Sequence, residues 1–339
     1  MSTNTEYLRA CESPRFAKLA PNLHAACFHL MKLQPARYII ERAAASGQLV
    51  PRGRIVETTS GTFGLALAMV AATFGYDLTL ITASSLVGPS FVHRLEKLGV
   101  EVIVTNDIRG DGNQVGRLER LREVMATHPQ SYWPQQYHNP ENALAYASFA
   151  EEIARSIGRV DYLVGCVGSG GSLCGTGGFL RHLFPTLQIV AVDTQGSVLF
   201  GQRARKRLLR GLGNSILPAN LRHQIVDEVH WVGALPAFCE THALYRTHGI
   251  FMGPTSGAAA LVARWVSANH PKAVTLAILP DEGHRYLETV YNDDWLAQVP
   301  GWPIRPPKNP VTLTRIQNTE ETDWARFLWR RRSLGKLAP

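Results

Sequence analysis

The chain has 339 residues, 45% hydrophobic and 18% charged, which is enough apolar content to bury a large core and to exclude a disordered or fibrous protein. Its 35 Lys and Arg against 27 Asp and Glu give a net charge of +8, a balance that raises nucleic acid as a partner. Much of the excess is gathered in Arg203, Arg205, Lys206, Arg207 and Arg210 and in Arg330, Arg331, Arg332 and Lys336. Neither cluster carries a recognition motif, so both read as solvated faces or a tail against an acidic surface, and nucleic acid is disfavoured.

Five cysteines (Cys11, Cys27, Cys166, Cys174, Cys239) are scattered with no CxxC, so free thiols in a reducing compartment are expected and no metal cage is written. The N-terminal MSTNTEYLRACESPR lacks an apolar run, and apolar stretches such as 65–74 are too short to cross a bilayer. A soluble, cytoplasmic protein with no membrane partner is the expectation.

Taken along the chain, β-branched and apolar runs alternate with helical patterns. The spacing predicts a strand at 54–57 (RIVE), a helix at 65–72, a strand at 77–81 (DLTLI), a helix at 91–98 closed by Gly99, and a strand at 100–104. Strands recur at 161–165, 188–192 and 274–279 with helices between. This rhythm suits right-handed crossovers rather than hairpins and predicts a doubly wound α/β fold. After Trp295 the chain turns Pro-rich (VPGWPIRPPKNP) and ends in a predicted short helix over 323–331, whose Trp324, Phe327 and Trp329 read as packing residues of a docking tail.

Four segments carry chemistry. Thr58-Thr59-Ser60-Gly61-Thr62-Phe63-Gly64 follows a predicted strand and opens a helix, where amides and hydroxyls at a helix N-terminus stabilise an anion. Alone it reads as a tight turn and cap. Gly168-Ser169-Gly170-Gly171-Ser172 has the same placement and reads as a phosphate nest. A dinucleotide site is its rival, with Asp193 as the ribose acid, but Leu173 stands where a third glycine belongs. Gly253-Pro254-Thr255-Ser256-Gly257-Ala258-Ala259 precedes a small-residue helix, and Leu279-Pro280-Asp281-Glu282-Gly283-His284-Arg285-Tyr286-Leu287 runs from a buried strand into a polar loop.

In this order the segments resemble fold-type II (tryptophan synthase β-like) pyridoxal-phosphate enzymes, in the cysteine synthase and cystathionine β-synthase group, over residues 21–295. The family's TSGNTG stands here as TSGTFG, its GTGGT as GSGGS, its SSGAA as TSGAA and its LPDxGxRYL as LPDEGHRYL. Gln135-Gln136-Tyr137 before Asn139-Pro140, the run 196–200 and Gly211-Leu212-Gly213 also match. The resemblance implies two doubly wound α/β subdomains: 1–40 as N-terminal segment and start of the lysine helix within the larger subdomain, 41–150 as the smaller substrate-binding one, 151–295 as the larger cofactor-binding one, and 296–339 as linker and tail.

It also implies pyridoxal 5'-phosphate as cofactor, Lys32 as its Schiff-base lysine and the base at Cα, and Gly168, Ser169, Gly170, Gly171 and Ser172 around its phosphate. Ser256 would face the pyridine nitrogen. Thr62 stands where the family has the asparagine that contacts cofactor and substrate, and Thr59, Ser60, Gly61, Thr62 and Gln136 would hold the substrate carboxylate. No metal is implied, and a homodimer acting on a small amino acid is. The implied reaction is β-replacement on L-serine or an O-activated L-serine through an α-aminoacrylate, with sulfide or another small thiol or amine as nucleophile. A β-eliminating lyase or dehydratase and a non-catalytic relative stand as alternatives. Two departures from the family, the loop before Lys32 shortened to Phe28-His29-Leu30-Met31 and Thr62 beside a pocket-narrowing Phe63, point to a donor or nucleophile other than acetylserine and sulfide, with tolerated substitutions in an ordinary cysteine synthase as the alternative.

Overall fold

The computed structural model describes residues 4–108, 110 and 112–337. The chain opens with α1 (Asn4–Glu12), a hairpin of β1 (Arg15–Ala20) and β2 (Leu23–Cys27), and α2 (Leu33–Ala45). It continues through β3 (Arg54–Thr58), α3 (Thr62–Phe74), β4 (Asp77–Ala83), α4 (Pro89–Glu96), β5 (Glu101–Thr105), α5 (Gln114–Thr127), α6 (Glu141–Leu144) and α7 (Ala147–Ser156). Then come β6 (Tyr162–Cys166), α8 (Gly171–Leu183), β7 (Gln188–Asp193), β8 (Glu228–Val232), α9 (Ala234–His248), α10 (Pro254–Asn269) and β9 (Thr275–Leu279), followed by α11 (Asp293–Ala297), β10 (Val311–Thr312) and β11 (Trp324–Phe327).

Two compact units form. The first holds the described residues up to Ser13 and Leu30–Ala145. Its sheet is β3-β4-β5, all parallel, with Arg54 opposite Asp77 and Thr79 opposite Glu101. Helix α3 is apolar nearly all round and buries Phe63, Leu65, Leu67 and Val70 in one cluster with Leu33, Ile39 and Ile40 of α2, as a helix enclosed on most sides must. Gly75 closes α3 at φ 75°, its N–H on the Ala71 carbonyl, a conformation that glycine adopts without strain.

The second unit holds Pro14–His29 and the described residues from Tyr146 on. Its eight strands run β1-β2-β9-β6-β7-β8-β11-β10. The five central strands pair in parallel, and their apolar runs, such as TLAIL in β9, are buried because helices cover both faces of such a sheet. The doubly wound α/β expectation is met.

Three expectations give way. The hairpin β1–β2 is present, turning through Pro21 and Asn22, with Phe16 opposite Ala26; a turn this short escapes a reading built on crossovers. The tail forms strand β11 instead of a helix over 323–331. It pairs antiparallel with β8, Trp324 opposite Val232 and Phe327 opposite Val229, because the exposed edge of β8 offers backbone donors and acceptors that an isolated helix could not use. The division into units also differs from the expected one. Residues 30–40 go with the first unit because α2 packs into its core, and the chain beyond 296 belongs to the second unit's sheet.

Candidate active site

Lys32 sits in the first unit at the N-cap of α2, where its carbonyl accepts the Ala36 N–H at 3.1 Å. It is half-buried between buried Met31 and Leu33. Desolvation lowers its ammonium to about 8, so about one amine in ten is neutral at pH 7 and able to act as nucleophile or base.

The TTSGTFG segment joins β3 to α3 in the same unit. The buried Thr59 hydroxyl accepts the Gly61 N–H at 3.0 Å and the Gly64 N–H at 2.9 Å, so it shapes the turn from within instead of facing outward. Gly61 holds φ 142°, which disfavours any side chain. Ser60 is exposed and Thr62 half-buried at the first position of α3. Phe63 does not narrow a pocket. It is 3% exposed in the helix core, because the helical turn aims it inward.

Sequence reading passed over Glu57, the residue before this segment. Its buried carboxylate accepts N–H groups from Thr58 at 2.8 Å, the Trp133 indole at 3.0 Å and Gln136 at 3.1 Å. Burial raises it to about 7 against the lowering effect of these donors. Gln136 in turn donates its side-chain N–H to the Thr58 carbonyl at 3.1 Å, which braces the start of the turn. An acid inside the apolar strand RIVET was the available signal.

Arg117, also passed over, lies near the start of α5, 3% exposed. Its Nε donates to the Gly112 carbonyl at 2.7 Å and Nη2 pairs with Gln114, while Nη1 has no partner. Desolvation lowers its pKa, opposed by the charges of Tyr137, Glu57 and Asp107. A buried guanidinium with an unused donor is costly without an anion. Nothing in GRLERLREV distinguishes this arginine from its exposed neighbours.

In the second unit Gly168–Ser172 joins β6 to α8. Gly170 is the helix N-cap at φ 84°, and a Cβ there would come within 2.6 Å of the Leu221 backbone. The Gly168 carbonyl accepts the Asn214 side-chain N–H at 3.3 Å. Ser169 and Ser172 are buried in the same turn. Ser256 lies in the first turn of α10, fully buried, and its hydroxyl has no partner. Its neighbour Thr255 donates its hydroxyl to the Arg210 carbonyl at 3.1 Å. Asp281 accepts the Tyr286 hydroxyl at 2.7 Å and its carbonyl takes the Gly253 N–H at 3.0 Å, so the LPDEGHRYL segment supports the start of α10.

Asp193 is no ribose ligand. It is fully buried, one carboxylate oxygen holds the Thr194 N–H at 2.8 Å, and burial raises it to about 7 despite its Ser197 hydrogen bond.

Residues 31–281 match the family model described as pyridoxal-phosphate dependent enzyme. The chain belongs to that family. It is 36% identical over 273 residues to the N-(2-amino-2-carboxyethyl)-L-glutamate synthase of Ralstonia nicotianae, covering 79% of this chain and 80% of the relative. The protein of the same name from Cupriavidus metallidurans is 33% identical over 276 residues, covering 79% and 81%. The O-acetylserine dependent cystathionine beta-synthase of Helicobacter pylori superposes with a TM-score of 0.79 at 25% identity, over 86% of this chain and 99% of that one. This pyridoxal-phosphate enzyme is cysteine synthase-like.

The residues present suit the cofactor. The partnerless buried Ser256 hydroxyl is what a ring nitrogen would satisfy, and the N-terminus of α8, with Gly170 at its cap and the buried Ser169 and Ser172 beside it, offers the backbone N–H groups that hold a phosphate. Among the described residues no group of His, Cys, Asp and Glu could hold a metal, and no helix is long and apolar enough to cross a membrane.

Proposed function

We propose that this enzyme joins the amine of a second amino acid, L-glutamate, to Cβ of O-phospho-L-serine. A Cβ–N bond forms, the Cβ–O bond breaks, phosphate leaves, and the amine gives up a proton. The product is an N-(2-amino-2-carboxyethyl) amino acid. The observation carrying the glutamate and its product is the likeness, over about four-fifths of both chains, to two relatives named N-(2-amino-2-carboxyethyl)-L-glutamate synthase. Arg117 supports phosphate as leaving group, since its partnerless Nη1 lies within the field of Glu57 and Tyr137, which flank the substrate loop and Gln136.

When bound, the cofactor withdraws electrons from Cα, which makes its proton acidic and lets the β-substituent depart. Lys32 would bind the cofactor's aldehyde carbon and, once displaced by the substrate amine, take the Cα proton on Nζ. Gly168–Ser172 would hold the cofactor phosphate, and Ser256 the ring nitrogen with a neutral hydroxyl, which favours loss of a β-group over deeper charge delocalisation. Ser60, Gly61, Thr62 and Gln136 would position the substrate carboxylate, with Thr59 shaping their turn and Thr62 also bordering the cofactor.

The test offers O-phospho-L-serine with sulfide and L-glutamate in competition. Preferential consumption of glutamate supports the reading. Cysteine as the dominant product, or pyruvate formed at the same rate without any acceptor, overturns it.

A further inference from the structure

The family match ends at residue 281, yet a carboxylate forty residues further on is tied into the second unit's interior. Glu321 precedes β11. Its Oε1 accepts the Leu208 N–H at 3.0 Å and the side-chain N–H of Gln195, and its Oε2 accepts the Ala234 N–H at 3.1 Å. Its own carbonyl takes the Leu235 N–H at 3.0 Å. Gly233 makes the approach possible, since a Cβ there would fall 2.3 Å from the Glu321 carbonyl oxygen.

The segment that Glu321 grips, 195–215, reaches the expected cofactor cup at its other end. Gly213 donates its N–H to the Val167 carbonyl at 2.8 Å, the Asn214 side chain donates to the Gly168 carbonyl, and the Arg210 carbonyl receives the Thr255 hydroxyl beside Ser256. Gln195 also donates to the Lys206 carbonyl at 3.2 Å, and the Ser197 hydroxyl accepts the Asn214 N–H at 3.1 Å. One carboxylate thus closes a loop whose far side borders both Gly168 and the start of α10.

We propose that Glu321 is a positioning residue for the cofactor: it orders 195–215 so that the loop supports the phosphate-binding turn Gly168–Ser172. Ordering this loop in advance removes a conformational cost from cofactor binding. The proposal rests on placing the cofactor phosphate at Gly168–Ser172, and not on the identity of donor or nucleophile. Arg203, whose side chain is exposed on the same loop, marks a position where truncation removes no buried contact.

The test titrates cofactor-free wild type, Glu321→Ala, Glu321→Gln, Gly233→Ala and Arg203→Ala with pyridoxal phosphate, following bound cofactor by absorbance, and records amide hydrogen exchange of the cofactor-free proteins. Glu321→Ala and Gly233→Ala should raise the dissociation constant by about tenfold, the scale of one lost charge-assisted hydrogen bond. Glu321→Gln should fall between them and wild type, and Arg203→Ala should stay near wild type. Exchange at Leu208 and Gly213 should quicken in the two stronger variants, and saturating cofactor should restore their kcat. Unchanged cofactor affinity in Glu321→Ala with quickened exchange at Leu208 would overturn the proposal, as would weakened affinity that excess cofactor cannot rescue. If Glu321→Ala fails to fold, Glu321→Gln and Gly233→Ala decide by the same readings. A Gly168→Ala variant with unaltered affinity would instead sink the placement of the phosphate, which keeps the two failures apart.

Discussion

The Glu57 carboxylate accepts the Gln136 backbone N–H at 3.1 Å while the Gln136 side chain donates back to the Thr58 carbonyl at 3.1 Å. This reciprocal pair clamps the end of β3, and with it the start of the proposed substrate loop, to the segment 133–136. Glu57→Gln places an amide N–H against one of the three donors, and an unpaired buried donor costs about 1–3 kcal/mol. Stability should fall by that order in thermal melts, and KM for the serine donor should rise more than kcat falls.

The same residue carries a pH signature. Its folded pKa is raised from 4.5 to about 7, so the stability linked to its protonation is fully present below about 4.5 and lost as pH rises through about 7. Asp193 titrates over the same range, so the informative quantity is the difference between wild type and Glu57→Gln. That difference in unfolding free energy should be larger at pH 5 than at pH 8. An equal difference at both values would show that Glu57 is already ionised at pH 5.

Lys32→Ala should abolish turnover and leave no lysine that borohydride can fix to the cofactor, while Gly168–Ser172 still retain it noncovalently. In wild type the rate of covalent capture should climb with pH and level above about 8, because only the neutral amine attacks and its ammonium is lowered to about 8. A rate still climbing through pH 10 would place Lys32 in open water.

Ser256→Ala should move two quantities in opposite directions. The hydroxyl is buried with no protein partner, so its removal should leave the cofactor-free enzyme as stable or more so. Cofactor affinity should weaken by about 0.5–1.5 kcal/mol, the worth of one neutral hydrogen bond. Calorimetry of both forms separates the two effects, and equal destabilisation of both would show that Ser256 serves packing alone.

Arg117→Met should raise KM for O-phospho-L-serine by about tenfold or more, the scale of a lost charged hydrogen bond, and change KM for O-acetyl-L-serine much less. Parallel losses for both donors would assign Arg117 to the fold instead of the leaving group.

How much of this was legible in sequence depends on whether the signal was local. The parallel strands β3, β4, β5, β6, β7 and β9 and the two strand-to-helix turns are written in consecutive residues, because apolar runs and glycines act where they stand. Lys32, in contrast, was reached through the family resemblance, and the parallel strands β2 and β8 were not read. Strand β11 was not legible, since Trp324 to Phe327 becomes a strand only by meeting the edge of β8. Arg117 and Glu321 look like ordinary surface charges until distant segments bury one and bind the other. Phe63 misled for the opposite reason: its place in the motif suggested the pocket, while the phase of α3 sends it into the core.

The central claim, that an amino-acid amine displaces the β-substituent of a serine donor, is tested most directly by incubating the holoenzyme with O-phospho-L-serine and L-glutamate labelled with nitrogen-15. Mass spectrometry should show one product carrying the intact labelled glutamate joined to a three-carbon amino acid, formed in step with inorganic phosphate. Phosphate released with pyruvate and unlabelled ammonia, and no labelled adduct, would contradict the account.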